Sequence, residues 1–84
     1  MEFYFKNVGG KTHLYSEDGF IDEDLGELET TFTGKLKTNN IFGEDYELED
    51  ISGFFSKGKR YSIKSSNGIN GVIEKSSGGK YVLK

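Results

Sequence analysis

Three observations predict an all-β fold: apolar residues recur with period two, turn dipeptides punctuate the chain, and no long stretch keeps a period of 3.6. Twelve glycines and no proline among 84 residues leave the turns to backbone freedom rather than rigid corners. The expected architecture is a small antiparallel barrel or a strongly curved sheet of six to seven strands joined by hairpins. Short antiparallel domains manage their edges by closing or curving.

The first element is EFYFK, with Phe3 and Phe5 on one face and Tyr4 and Lys6 on the other. Asn7-Val8-Gly9-Gly10 then reads as a turn and THLYS as the returning strand.

Residues 16–29, SEDGFIDEDLGELE, hold seven acids and four large apolar residues. They read as a connecting segment pinned by Phe20, Ile21 and Leu25 with its carboxylates outward, because seven acids cannot be buried without partners. A short helical turn near residues 19–26 is the alternative local form. Phe20, Ile21, Leu25 and Leu28 would line one side, Asp18 would cap it, and Gly26 would limit its length.

ELETTFTGKLK, residues 27–37, reads as one strand. Leu28, Thr30, Phe32, Gly34 and Leu36 share a face, which places Phe32 in the core and a bend or bulge at Gly34. A further strand is expected at Tyr46–Glu49 and another near residues 52–56, with Lys57-Gly58 as the turn. The last third is a meander: RYSIKSS, Asn67-Gly68, INGVIEKSS, Gly78-Gly79, KYVLK. Both dipeptides suit type I′ turns. KSSNG (64–68) and KSSGG (75–79) repeat with a spacing of eleven, which fits a strand plus a tight turn.

Residues 1–84 are expected to form a single domain that buries roughly 60–65% of its unfolded surface. The chain has no cysteine, so packed side chains, with seven Phe and five Tyr prominent among them, must stabilise it. No apolar run is long enough to span a bilayer, the N-terminus lacks the pattern of a signal peptide, and no N-x-[ST] acceptor is present. A cytoplasmic protein is expected. The composition, rich in Lys, Asn, Phe, Glu and Gly, is common in AT-rich genomes, those of phages included.

The net charge of −3 conceals an asymmetry. Residues 1–56 hold four Lys and thirteen acids, a balance of −9, whereas residues 57–84 hold six Lys, one Arg and one acid, a balance of +6. Either the two halves form a mutually attracting solvated surface, or one part of the molecule is anionic enough to bind something.

Catalytic motifs fail on inspection. VGGKTH lacks the first glycine of a phosphate-binding loop, since Phe5 stands at that position. Neither Gly26 nor Gly43 fits an EF-hand, although Asp22, Asp24 and Glu27 form the one conceivable non-standard calcium set. His13 is the sole histidine, no cysteine nucleophile exists, and no serine has a nucleophile-elbow context. No enzyme activity, metal or cofactor is expected.

Two functions remain. The first is a protein–protein interaction module, in effect an inhibitor, presenting an acidic, nucleic-acid-like ridge to a basic, nucleic-acid-handling partner. The ridge would comprise Glu17, Asp18, Asp22, Glu23, Asp24, Glu27, Glu44, Asp45 and Glu47. The second is direct binding of single-stranded nucleic acid by Lys57, Lys59, Arg60, Lys64, Lys75 and Lys80, interleaved with Phe54, Phe55, Tyr61 and Tyr81. Alternation weighs against the second, because Tyr61 and Ile63 share one face while Arg60 and Lys64 share the other. A balance of −9 on residues 1–56 also repels phosphate.

Overall fold

The computed structural model describes residues 1–39, 44–53, 58–76 and 78–84. Eight antiparallel strands form a closed barrel: β1 (Glu2–Val8), β2 (Lys11–Asp18), β3 (Ile21–Thr30), β4 (Leu36–Asn39), β5 (Tyr46–Asp50), β6 (Arg60–Ser65), β7 (Asn70–Lys75) and β8 (Tyr81–Leu83). Each strand pairs with its neighbour in the chain. The short seam between β8 and β1, Glu2 to Val82 and Phe3 to Tyr81, closes the ring. Closure shortens the free edges that an open sheet would present.

Period two decides the inside. Phe3, Leu14, Leu25, Tyr46, Leu48, Ile63, Ile73 and Tyr81 form the buried cluster, and Phe5, Leu28, Leu36, Tyr61, Ile69 and Leu83 pack against it. Phe5, Tyr61 and Tyr81 meet edge to face, with ring centroids 5.3–5.7 Å apart. The outer wall carries Glu2, Tyr4, Lys6, His13, Glu17, Asp22, Asp24, Arg60 and Glu74. Apolar inside and charged outside is the reverse of a lipid-facing barrel. Among the described residues no helix is long and apolar enough to cross a membrane.

Alternating strand direction gives the barrel two ends. One carries the Gly9-Gly10 turn, and we call it the Gly9 end. The other carries the Gly19-Phe20 turn, the chain start and the connection into β5, and we call it the Phe20 end.

Several local expectations are corrected. Residues 21–30 are a strand rather than a helical turn or an irregular connection. The apparent helical spacing comes from a bulge: Leu14 faces Gly26 while Tyr15 faces Asp24, so Leu25 has no partner across the ladder. The extra residue turns both Leu25 and Leu28 inward, three positions apart, as a helix would. Leu25 is buried, but Phe20 is fully exposed and Ile21 largely so. They sit at the tip of a two-residue turn whose Gly19 has φ 66°, so they anchor nothing within this chain.

Residues 27–37 are not one strand. They end β3, turn over Thr31–Lys35, and begin β4, and Gly34 has φ 84° within that turn. Phe32 stands on the turn, fully exposed, not in the core. Alternation could not reveal this. Thr30 faces Leu36 and Leu28 faces Thr38, so even-numbered residues stay inward on both arms of the hairpin.

The two meander turns are not type I′. Asn67 and Gly78 lack positive φ, whereas Gly68 and Gly79 have φ 106° and 76°. Each turn closes on a left-handed glycine, with Gly68 N–H donating to the Ser65 carbonyl and Gly79 N–H to the Ser76 carbonyl, both at 3.3 Å. The expected strand near 52–56 is not formed at Ser52 and Gly53. Its remaining positions, and Lys57 of the expected turn, lie outside the described residues.

Candidate functional site

The Gly19-Phe20 turn is built from local chemistry. Asp18 pairs with Ile21 across the ladder, leaving two residues for the turn, and glycine at the first supplies the positive φ that a tight hairpin needs. Phe20 is thereby held at the tip, beside exposed Ile21, and Met1 is half exposed at the same end of the barrel.

Carboxylates surround this tip. Among the described residues, seven of the fourteen acids meet a basic side chain: Glu17 with Lys80, Asp24 with His13, Glu27 with Lys11, Glu47 and Glu49 with Lys35, Asp50 with Lys59, and Glu74 with Arg60 and Lys84. The other seven make no ion pair among those residues. Glu29 lies toward the Gly9 end, while Glu2, Asp18, Asp22, Glu23, Glu44 and Asp45 all lie at the Phe20 end. Glu17, in register between Glu2 and Asp22, is paired with Lys80, so that end is only partly neutralised.

Two links bring the separate acidic stretches together. Ser66 donates its N–H to the Asp45 carbonyl at 3.0 Å, and Asp45 donates its N–H to the Ser66 hydroxyl at 3.1 Å. These bonds fix the entry to β5 against the β6–β7 turn. The Tyr46 hydroxyl donates to Glu44 at 3.2 Å. Burial, then Glu44 and also the Glu23 charge, push the Tyr46 phenol above its ordinary value. Glu23 of β3 and Glu44 before β5 thus act on one hydroxyl.

On the wall below, Tyr4 and Tyr15 stack at 5.3 Å, with Lys6 over Tyr15 at 5.3 Å and Lys80 over Tyr4 at 5.8 Å. Tyr4 donates to Asp22 at 2.7 Å. That bond, with burial and neighbouring negative charge, pushes the Tyr4 phenol up to about 12. His13 Nδ1 lies 3.0 Å from both Asp24 oxygens, and Asp24 also accepts the Gly26 N–H at 2.9 Å. Burial raises the Asp24 pKa, but those bonds and the imidazole outweigh it and hold the carboxyl below its ordinary value. The His13–Asp24 pair orients an imidazole, yet among the described residues no hydroxyl is hydrogen-bonded to that ring.

Of the ridge expected from sequence, Asp18, Asp22, Glu23, Glu44 and Asp45 gather at one end. Glu17, Asp24, Glu27 and Glu47 are drawn into pairs on the wall. Among the described residues no three His, Asp or Glu side chains converge on a point that could hold a metal, and Asp22, Asp24 and Glu27 are directed to three different partners. Glu2, Tyr4, Tyr15 and the outward Phe20 and Ile21 were not legible as site residues; only the Gly19-Phe20 turn signal hinted at the last two.

The basic set does not make a stacking platform. Lys59, Arg60 and Lys80 are paired with Asp50, Glu74 and Glu17. Hydrogen bonding to Asp50 and to Glu17 raises Lys59 and Lys80 above their ordinary values. Tyr61 and Tyr81 point inward. Lys64 and Lys75 are exposed, and Lys57, Phe54 and Phe55 lie outside the described residues. No family model, curated protein or solved structure matches this chain.

Proposed function

We propose that the protein is a non-enzymatic interaction module, acting in the cytoplasm, whose Phe20 end docks on a basic, nucleic-acid-handling protein and inhibits it by occupying the surface that grips phosphate. One observation carries the reading: a fully exposed aromatic, Phe20, stands among carboxylates that make no ion pair with described residues. An apolar anchor inside a charged rim is the anatomy of a binding interface. Burying one Phe contributes about 1.5–3 kcal/mol, and the surrounding carboxylates accelerate encounter with a cationic surface.

The direct nucleic-acid reading is weaker, because three of its cations are already matched to acids and its described tyrosines face inward. Affinity capture from host extract tests both. The wild type is compared with Phe20→Ser and with Asp18→Lys/Glu23→Lys, each first shown to melt like the wild type. Retention of a nucleic-acid-binding protein by the wild type alone, weakening as salt rises, supports the proposal. Equal retention by all three proteins refutes it. A gel shift of single-stranded DNA or RNA that depends on Lys64 and Lys75 would move the function to the meander.

A further inference from the structure

Among the described residues, the barrel interior is packed less completely toward the Gly9 end than around Phe3 and Tyr46. Phe3 and Tyr46, both buried and meeting edge to face at 6.4 Å, occupy the interior toward the Phe20 end. Toward the Gly9 end a cavity of about 380 Å³ remains, lined by Phe5, Thr12, Leu28, Thr30, Leu36 and Tyr61. The reason is in the residues. Thr12 and Thr30 are short side chains at the rim, and Gly9-Gly10 caps the β1–β2 hairpin without any side chain. Phe5, Leu28, Leu36 and Tyr61 are accordingly only partly buried, although each packs on the core.

An eight-stranded barrel is wide enough to hold one small ligand. The cavity lies at the small end of the ~300–1,000 Å³ range of such sites. We propose that this mouth binds a small neutral aromatic molecule of one or two rings bearing one polar substituent. None of the six lining side chains is charged, which argues against an ionic ligand, since a buried charge needs a partner. The aromatic wall supplies the preference for a ring: Phe5 and Tyr61 stand 5.7 Å apart, edge to face, and a planar guest continues that packing. The Thr12 and Thr30 hydroxyls stand at the rim, where a polar substituent can meet them while the ring enters first.

The site is at the opposite end from the acidic tip, so the two proposals fail independently. The test is solution NMR of the whole protein titrated with indole and with 1-naphthol, with cyclohexanol and decanoate in parallel. Saturable shifts at the Leu28 and Leu36 methyls and the Phe5 and Tyr61 rings, with a Kd on the order of 0.1 mM for the aromatic probes, are expected. Weaker binding of cyclohexanol and decanoate is expected as well. Thr12→Trp and, separately, Thr30→Trp fill the mouth from exposed rim positions that the core does not need, and each should weaken binding at least about tenfold. Phe20→Ser should leave it unchanged. Absence of saturation up to the solubility limit, tightest binding by decanoate, shifts confined to exposed Phe20 and Phe32, or undiminished binding in both folded Trp variants would overturn the proposal.

Discussion

The Thr38 hydroxyl accepts the Tyr46 N–H at 2.8 Å, continuing with a side chain the ladder that β4 and β5 begin at Leu36–Leu48 and Lys37–Glu47. Thr38 is buried, so this hydroxyl satisfies a donor that water does not reach. Thr38→Val keeps the shape and removes the acceptor. It should cost about 1–3 kcal/mol of unfolding free energy in urea titration. A loss below about 0.5 kcal/mol would mean that water replaces the hydroxyl.

Two phenylalanines of equal size should behave oppositely. Phe3 is fully buried and Phe32 fully exposed. Phe3→Ala should cost ~3–5 kcal/mol, enough to unfold a domain of this size. Phe32→Ala should stay within ~0.5 kcal/mol of the wild type. Equal losses in chemical denaturation would place Phe32 inside the barrel and contradict the turn at Thr31–Lys35.

Tyr4 should titrate late. Its folded pKa of about 12 exceeds the ordinary 10.0, chiefly through the Asp22 bond. The folded state therefore holds this proton more tightly than the unfolded state. The resulting stabilisation is complete below pH 10 and is lost as pH rises through 12. Asp22→Asn removes the negative acceptor, so ultraviolet titration should show one tyrosine moving down toward its ordinary value. An unchanged titration curve would show that Asp22 does not hold the phenol.

Asp24 works with the opposite sign. Its carboxyl titrates below the ordinary value, so the stabilisation is present above the unfolded carboxylate range and is lost as pH falls through the folded pKa. His13→Ala removes a hydrogen bond and a charge that both lower it, leaving burial opposed by the Gly26 N–H and Tyr15 alone. Carboxyl-carbon NMR should then find Asp24 titrating at higher pH and the variant unfolding at higher pH in acid. No movement of the Asp24 resonance would assign the depression to the Gly26 N–H and the Tyr15 hydroxyl rather than to His13.

Three of the hairpins, β3–β4, β6–β7 and β7–β8, follow one local rule. Thr31–Lys35, Ser65–Ile69 and residues 76–80 each open with a hydroxyl residue and place a left-handed glycine fourth, at Gly34, Gly68 and Gly79. The hydroxyl closes each turn: Lys35 N–H donates to Thr31 at 3.1 Å, Ile69 N–H donates to Ser65 at 3.0 Å, and Ser76 donates to the Lys80 carbonyl at 2.9 Å. The repeat KSSNG and KSSGG displays this rule openly. TFTGK obeys it too, but its alternating flanks disguise it as strand.

Local order was therefore readable from the sequence: the all-β class, the meander, the inward set Phe3, Phe5, Tyr61, Ile63 and Tyr81, and the exclusion of cysteine chemistry. These depend only on side-chain alternation and turn preference, which act within a few residues. The bulge at Leu25, the closure of β8 on β1, and the sorting of acids into paired and unpaired sets required the folded barrel. Glu17 meets Lys80 across the seam, and Glu23 and Glu44 act on one tyrosine only because β3 and β5 begin at the same end. Alternation tells a residue which face it takes, but charge pairing and the cavity between Phe5, Leu28 and Tyr61 depend on which strands become neighbours, and only closure of the ring decides that.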